Sequence, residues 1–495
     1  MDSSLAVRGA SATTNRGLNN HRTLLQNVIT CLRIYWCLGT SSEILPLKCA
    51  LEFDMTRTAR GASCGSSVHS FNRRAFLGTA TGAMVGGTVG LNMLGSPLMA
   101  TPLKQQQKRA ILVFLGGGHS QFETWDPKPG RSTGGPFTAI GTSVPGTHIC
   151  ELLPEMAKRL SKHTAIIRSI DTGNTDHGQG ARIVLRGKRP DTGPAKFPTL
   201  GATLARELGQ RDSKIPDHVA MYTTVIGFPG MLNPSPGMAG CLGSRWEPIN
   251  ILRGLAPPGN TLPEFLSDLD HKERSELRHL LSERFKRGRE HNQTLVSHND
   301  AYGRVRGLMA CDEMFDISKE PAAIRDKYGP TLFGRQALAA RRLVEAGVPF
   351  VRLNRGWWDS HGENFDIHHE LVPELDHVLS VLLDDLEVRG LLEHTLVITL
   401  SEMGRTPAIN SMRGRDHYAG MSATLSGCGI QGGAVFGATN EDGTEIIEGK
   451  VGIPEFFATI FQALGIDHEK EYIAADGRPV ALVEYGTDAI DDILA

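Results

Sequence analysis

The chain lacks the features that would sort it quickly into a class. None of its eight cysteines forms a CxxC pair, which excludes a zinc site built from cysteine alone. Cys31, Cys37, Cys49 and Cys64 precede an apolar segment, while Cys150, Cys241, Cys311 and Cys428 are scattered. That is the pattern of isolated thiols, although one or two disulfides stay open for a protein that is exported. Neither sign of charge dominates: 52 Lys and Arg stand against 54 Asp and Glu, a net charge of -2. No global field therefore draws the chain to nucleic acid or to an anionic membrane. Internal repeats and low-complexity tracts are missing, which excludes solenoid and propeller readings. The most apolar stretch, which follows Arg73-Arg74, is too rich in Gly, Ala and Thr for a stable membrane span.

What is present is ordinary globular material: 495 residues, 40% hydrophobic and 21% charged. The segment "FNRRAFLGTATGAMVGGTVGLNMLGSPLMATP", from Phe71, resembles a twin-arginine signal, with a pair of arginines ahead of a mild apolar run. It implies a partner, the twin-arginine export machinery, and a periplasmic or secreted location in a bacterium. Residues 1–54 show no clear period and no caps, and are expected to be a non-native or disordered extension ahead of a start at Met55. The signal region then covers 55–107, and one large domain covers 108–485.

That domain alternates strand and helix signals. Ile111–Leu115 is a continuous apolar run, as for a strand buried on both faces, and Gly116, Gly117 and Gly118 end it. "HTAIIRSI", "HVAMYTTVIG", "VPFVRL", "TLVITL" and "SATLSGCG" read as further strands. Leu371, Leu375, Val378, Leu379, Leu382 and Leu386 share one helical face. The charged, Gly- and Pro-poor region from about 262 to 346 reads as a helical insertion, closed by Gly347 at a C-cap position. Such alternation predicts an α/β fold: a doubly wound, mostly parallel sheet flanked by helices, with ligands bound beyond the C-terminal strand ends.

Four polar clusters fall at those places: His119-Ser120 with Asp126, Asp176-His177, Asp359 with His361, and Glu402 with Arg405 followed by Asp416-His417. Imidazole donates a nitrogen lone pair and carboxylate offsets a cation's charge, so together they suit a divalent metal: Zn or Mn, with oxygen-rich positions also accepting Mg or Ca. Each cluster also has a plainer reading. Asp359-Ser-His361 makes an Asx-type turn, Asp416 a compensating acid in a basic loop, and Glu402 a partner for Arg405. His368-His369 reads as solvated or capping, and Trp357-Trp358 as a core anchor or pocket wall.

Taken together, "FLGGGHSQFETWDPKP", "YGPTLFGRQALAARRLVEAGVPFV", "GWWDSHGENF", "LVPELDHVLSVLLDDLEVRGLLEHTLVITLSEMGRTP" and "GRDHYAGMSATLSGCGIQGGAVFGAT" resemble the domain of unknown function 1501 family. The resemblance runs from about residue 70 to 467. That family in turn resembles the alkaline phosphatase and sulfatase superfamily, which implies hydrolysis of phosphate or sulfate esters at one or two metals. Asp359 and His361 match a metal pair after a strand, at a shorter gap than usual. Glu402-Met403 stands where relatives carry Asp-His, and His417 matches the last metal histidine, with Asp416 before it. The strand-one aspartates are missing, and His177 occupies the place of the Ser, Thr or formylglycine nucleophile.

The resemblance thus implies a metal-dependent hydrolase of small-molecule or glycan esters. Asp359, His361, His417, Glu402 and Asp416 would be its metal residues, and His177, Ser120 and Arg405 its catalytic candidates. The alternative is a catalytically degenerate member that binds a glycan or a protein partner.

Overall fold

Strand β1 (Arg109–Leu115) is buried at every position, and its side chains divide by parity. Ala110, Leu112 and Phe114 enter one core; Ile111, Val113 and Leu115 enter the other. A strand with two apolar faces belongs at the centre of a sheet covered on both sides. A computed structural model describes residues 107–188, 197–210, 215–224, 237–256, 267–289, 312–474 and 477–495, all within one unit, Thr81–Ala495. The expected extension, the twin-arginine segment, Cys31, Cys37, Cys49, Cys64 and Cys311 lie outside the described residues. Cys150, Cys241 and Cys428 are free thiols.

Seven more strands join β1 in one sheet: β2 (Thr164–Asp171), β3 (His218–Tyr222), β4 (Ile249–Leu252), β5 (Phe350–Arg355), β6 (Thr395–Leu400), β7 (Gly420–Gly427) and β8 (Val435–Phe436). Their order is β8-β2-β7-β6-β1-β5-β3-β4. β1 pairs parallel with β5 and with β6, Ala110 facing Phe350 on one side and Leu396 on the other. Only β7 runs against its neighbours, β2 and β6. The mostly parallel sheet flanked by helices is thus as the sequence predicts.

The helices are α1 (Pro154–His163), α2 (His177–Arg186), α3 (Leu200–Leu208), α4 (Asp268–Lys286), α5 (Ala322–Tyr328), α6 (Leu332–Ala346), α7 (Asn364–Val388) and α8 (Ile453–Ala463). Helices α1, α6 and α7 bury their apolar faces in one core, and α2, α3 and α8 in the other. All six residues of the apolar face predicted within Leu371–Leu386 are buried on α7. Each such side chain contributes roughly 1.5–3 kcal/mol relative to exposure.

Two sequence expectations need correction. Helix α6, grouped there with the helical insertion, is a layer of the sandwich: Leu338, Leu343 and Val344 are buried against the sheet that β5 then enters. Its charged residues hid a complete inner face. His368 is neither solvated nor capping but fully buried: its Nδ1 lies 2.8 Å from the Asn364 carbonyl, and its Nε2 accepts from the Ser120 amide at 3.2 Å.

Candidate metal centre

The C-terminal ends of β1, β2, β5 and β6 lie at one edge of the sheet. The antiparallel β7 begins at that same edge, which brings the segment before it alongside. β5 delivers Asp359 and His361, β6 delivers Glu402, and the turn into β7 delivers Asp416 and His417. β2 leads to α2, whose N-cap Asp176 accepts from the Gln179 amide at 2.8 Å and seats His177 in the first turn.

Glycine lets these segments close up. A Cβ on Gly117 (φ +118°) would stand 2.5 Å from the Asp359 amide nitrogen. One on Gly180 of α2 would stand 2.8 Å from the Glu402 carbonyl oxygen.

Four side chains converge. His177 Nε2 lies 3.3 Å from Asp359 Oδ2, and His417 Nε2 lies 3.4 Å from Asp359 Oδ1. His361 Nε2 lies 2.9 Å from His417 Nε2 and 3.3 Å from Asp359 Oδ1. One ligand atom from each of His177, Asp359 and His417 lies within 4.8 Å of the others.

The other nitrogen of each ring decides the tautomer. His177 Nδ1 faces Glu402 Oε1 at 2.8 Å, His361 Nδ1 faces Asp416 Oδ1 at 2.9 Å, and His417 Nδ1 faces the Thr175 carbonyl at 2.7 Å. All three partners are acceptors, so each neutral ring donates from Nδ1. Each then directs a bare Nε2 lone pair inward, next to a carboxylate.

Four acceptors with no donor among them repel one another unless a cation or protons lie between. In the chain alone that tension shows on His177. Burial disfavours its charged form, yet Asp359 and Glu402 outweigh burial and push its pKa up to about 9. Asp359 is held well below the usual carboxylate range: burial opposes this, but His177, His417 and Arg405 prevail.

The remaining candidates fall around this set. Glu402 is fully buried, and its Oε1 also accepts from the Gly117 amide at 2.8 Å, so it orients His177 and braces the end of β1. Asp416 is mostly exposed and orients His361. Arg405, a catalytic candidate by the resemblance, is fully buried. Its guanidinium binds Asp359 Oδ1 at 2.7 Å, the Gly118 carbonyl at 2.8 Å, the Arg415 carbonyl at 3.1 Å and the Gly117 carbonyl. It therefore anchors Asp359. Arg415 is likewise committed inward, to Glu123 at 2.8 Å.

Ser120 is fully buried and is not brought to the converging atoms, and neighbouring His119 is kept neutral, its pKa lowered to about 3 chiefly by burial. Asp126 pairs with Lys128 at 3.0 Å instead. The tryptophan pair divides: Trp358 is fully buried, while Trp357 is exposed in a left-handed conformation (φ 76°). The Thr175 carbonyl and the Gly117 amide escaped the sequence reading, because a main-chain group has no residue signature.

The family described as Protein of unknown function (DUF1501) matches residues 107–494. No curated protein matches the chain in sequence. Among solved structures, the PsFucS1 sulfatase from Pseudoalteromonas sp. is similar at 13% identity and TM-score 0.37, over 75% of this chain and 70% of that one. A protein in the alkaline phosphatase superfamily from Vibrio parahaemolyticus is similar at 13% identity and TM-score 0.35, over 73% of this chain and 67% of that one. The phosphonate monoester hydrolase of Agrobacterium radiobacter is similar at 13% identity and TM-score 0.30, over 77% of this chain and 78% of that one. Likeness at this level carries no functional argument.

Proposed function

We propose, for a chain that belongs to the DUF1501 family, that His177, Asp359, His361 and His417 hold a divalent cation, and that the protein hydrolyses sulfate or phosphate esters there. The observation that carries this reading is what stands behind the rings: each Nδ1 faces an acceptor, Glu402, Asp416 or the Thr175 carbonyl, so that each Nε2 is turned inward beside the one carboxylate of Asp359. Histidine ligands of metals are oriented in this way, through a carboxylate or carbonyl on the far nitrogen. The separations of 2.9–3.4 Å from Asp359 to each ring and from His361 to His417 are near the roughly 3.3 Å that two 2.0 Å bonds at a tetrahedral angle require. A nitrogen-rich donor set suits zinc or manganese better than calcium or magnesium, which prefer oxygen.

When bound, such a cation supplies Lewis acidity toward an ester oxygen or a water molecule. The chain's own residues do the rest. Glu402, Asp416 and Thr175 keep the three rings in register, and Arg405 holds Asp359. His361 and Asp416 are more exposed than His177 and Glu402, so substrate approaches from their side. Among the described residues no serine, threonine or cysteine side chain is among the converging groups, and by the resemblance His177 falls at the nucleophile's place. Water is then the nucleophile: its oxygen bonds to sulfur or phosphorus as the bond to the alcohol oxygen breaks, one of its protons passes to the departing oxygen to give the alcohol, and the other stays with the sulfate or phosphate released. The twin-arginine segment at Arg73-Arg74 supports export of the protein; among the described residues no helix is long and apolar enough to cross a membrane.

Metal analysis of the purified protein, with turnover of p-nitrophenyl sulfate and p-nitrophenyl phosphate, tests both halves. Close to one equivalent of metal is expected, lost in Asp359→Ala and in His417→Ala together with turnover. Metal without turnover of any ester would leave a binding protein, and no metal at all would remove the proposal.

A further inference from the structure

Gln121, within the stretch "FLGGGHSQFETWDPKP", is a glutamine buried just beyond the end of β1. Its side-chain amide meets one residue twice. Nε2 donates to the Arg405 carbonyl at 2.8 Å, and the Arg405 amide donates to Oε1 at 3.0 Å. A primary amide carries the same kinds of donor and acceptor as a peptide group. Gln121 thus pairs with Arg405 as a neighbouring strand would.

What it pairs with is the free edge of a small ribbon. Gly404–Arg405 runs antiparallel to His417–Tyr418, with Arg405 opposite His417. The Thr406 amide donates to the Asp416 carbonyl at 2.9 Å. In an antiparallel ladder hydrogen-bonded and non-hydrogen-bonded pairs alternate, so the next pair, Arg405 with His417, is of the second kind. The N–H and C=O of Arg405 therefore point away from His417, toward Gln121. Main-chain groups buried without a partner are strongly unfavourable, and Arg405 is fully buried. Glycine at 404 completes the fit: a Cβ there would stand 2.6 Å from Gln121 Oε1 and closer still to the Gly420 carbonyl oxygen of β7.

The ribbon carries two parts of the metal centre. His417 is one of its residues, and the Arg405 guanidinium bonds Asp359 Oδ1 at 2.7 Å. A metal site tolerates about 0.2 Å of error in its bonds, so slack in the main chain at Arg405 disturbs both. We propose that Gln121 is a positioning residue of this centre: its side-chain amide stands in for a third strand and fixes Arg405, and through it Asp359 and His417. What is positioned rests on the metal reading of the site; that Gln121 holds the ribbon does not.

Hydrogen–deuterium exchange of the metal-free full chain, with zinc affinity from chelator competition, tests this. Gln121→Met removes both bonds at a similar volume. It should speed exchange across Gly404–Tyr418 about tenfold or more and weaken zinc binding about 10- to 100-fold. Gln121→Glu keeps the acceptor for the Arg405 amide and should move both readings the same way by less; it decides alone should Gln121→Met fail to fold. Gln336→Met is the control. Gln336, on α6, is also fully buried and donates to the carbonyls of Tyr222 at 3.3 Å and Gly254 at 2.9 Å. Its loss should lower the Tm and leave ribbon exchange and zinc affinity unchanged. Unaltered exchange across the ribbon in the Gln121 variants, the same changes in Gln336→Met, or full zinc affinity despite faster exchange would each overturn the proposal. A wild-type chain that takes up no zinc would overturn the metal reading instead, and exchange alone would then decide for or against Gln121.

Discussion

Around Arg341 the charges cancel within the protein; around Asp359 they do not. Arg341 is fully buried and contacts Glu320 at 2.7 Å, Asp385 at 2.9 Å and Glu345, while Arg389 meets Asp385 at 2.8 Å and Arg342 meets Glu320. Three guanidiniums balance three carboxylates, and the cluster ties the segment before α5 to α6 and α7. At the sheet edge, Asp359, Glu402 and Asp416 and three imidazoles share, among the described residues, one close guanidinium, Arg405. One cluster is complete without a ligand and the other presents a surplus of acceptors. Carboxylates and bases in proximity are therefore no sign of a metal by themselves; the missing internal cation is.

The difference is best tested by removing one member of each cluster. Arg341→Ala takes from Glu320 and Asp385 the buried guanidinium they share, leaving Arg342 with the one and Arg389 with the other, and should cost about 3 kcal/mol of stability, read by chemical denaturation. The folded fraction should keep its metal affinity. A loss under about 1 kcal/mol would mean that this cluster is not the closed structural element described.

Glu402→Gln keeps an acceptor for the Gly117 amide but removes the charge behind His177. Metal affinity should fall about 10- to 100-fold, measured by competition with a chelator, and the metal-free protein should lose part of the stability that charged His177 contributes below pH 9. Unaltered affinity would reduce Glu402 to a brace for β1.

The smallest effect is a pH dependence. With no metal bound, the His177 pKa is raised to about 9. A base raised in the folded state stabilises most below its unfolded pKa, about 6.5, and loses that contribution as pH climbs through the folded value. The Tm of metal-free protein should therefore decline between pH 6.5 and 9, and His177→Gln should flatten the curve. Metal affinity should move oppositely, rising with pH as the competing proton leaves. A flat curve for the metal-free wild type would contradict the contacts drawn for His177.

Much of the fold was legible because the determinants are local. The unbroken apolar run of β1 announces a two-faced strand, Gly347 marks a helix end with its left-handed φ of 106°, and the spacing from Leu371 to Leu386 describes one buried face. Helix α6 was misassigned to an insertion because its surface charges are more conspicuous than its alternating buried alanines and leucines. In the site, residue types near strand ends picked out Asp359, His361, His417 and Glu402. Their division of labour was invisible, since whether a carboxylate points at an ion or at the back of a histidine ring depends on a difference of a few ångströms.

The sequence by itself determined the alternation of strands and helices, the glycine turn after β1, and the supply of imidazoles and acids at strand ends. These depend on neighbours a few positions apart, and chain chemistry acts at that range. Only the tertiary structure decided that Arg405 serves Asp359 rather than a substrate, that His368 is core, and that Gln121 pairs with the main chain of Arg405. Each of these is set by groups distant in the chain, whose mutual orientation exists only once the sheet edge has assembled.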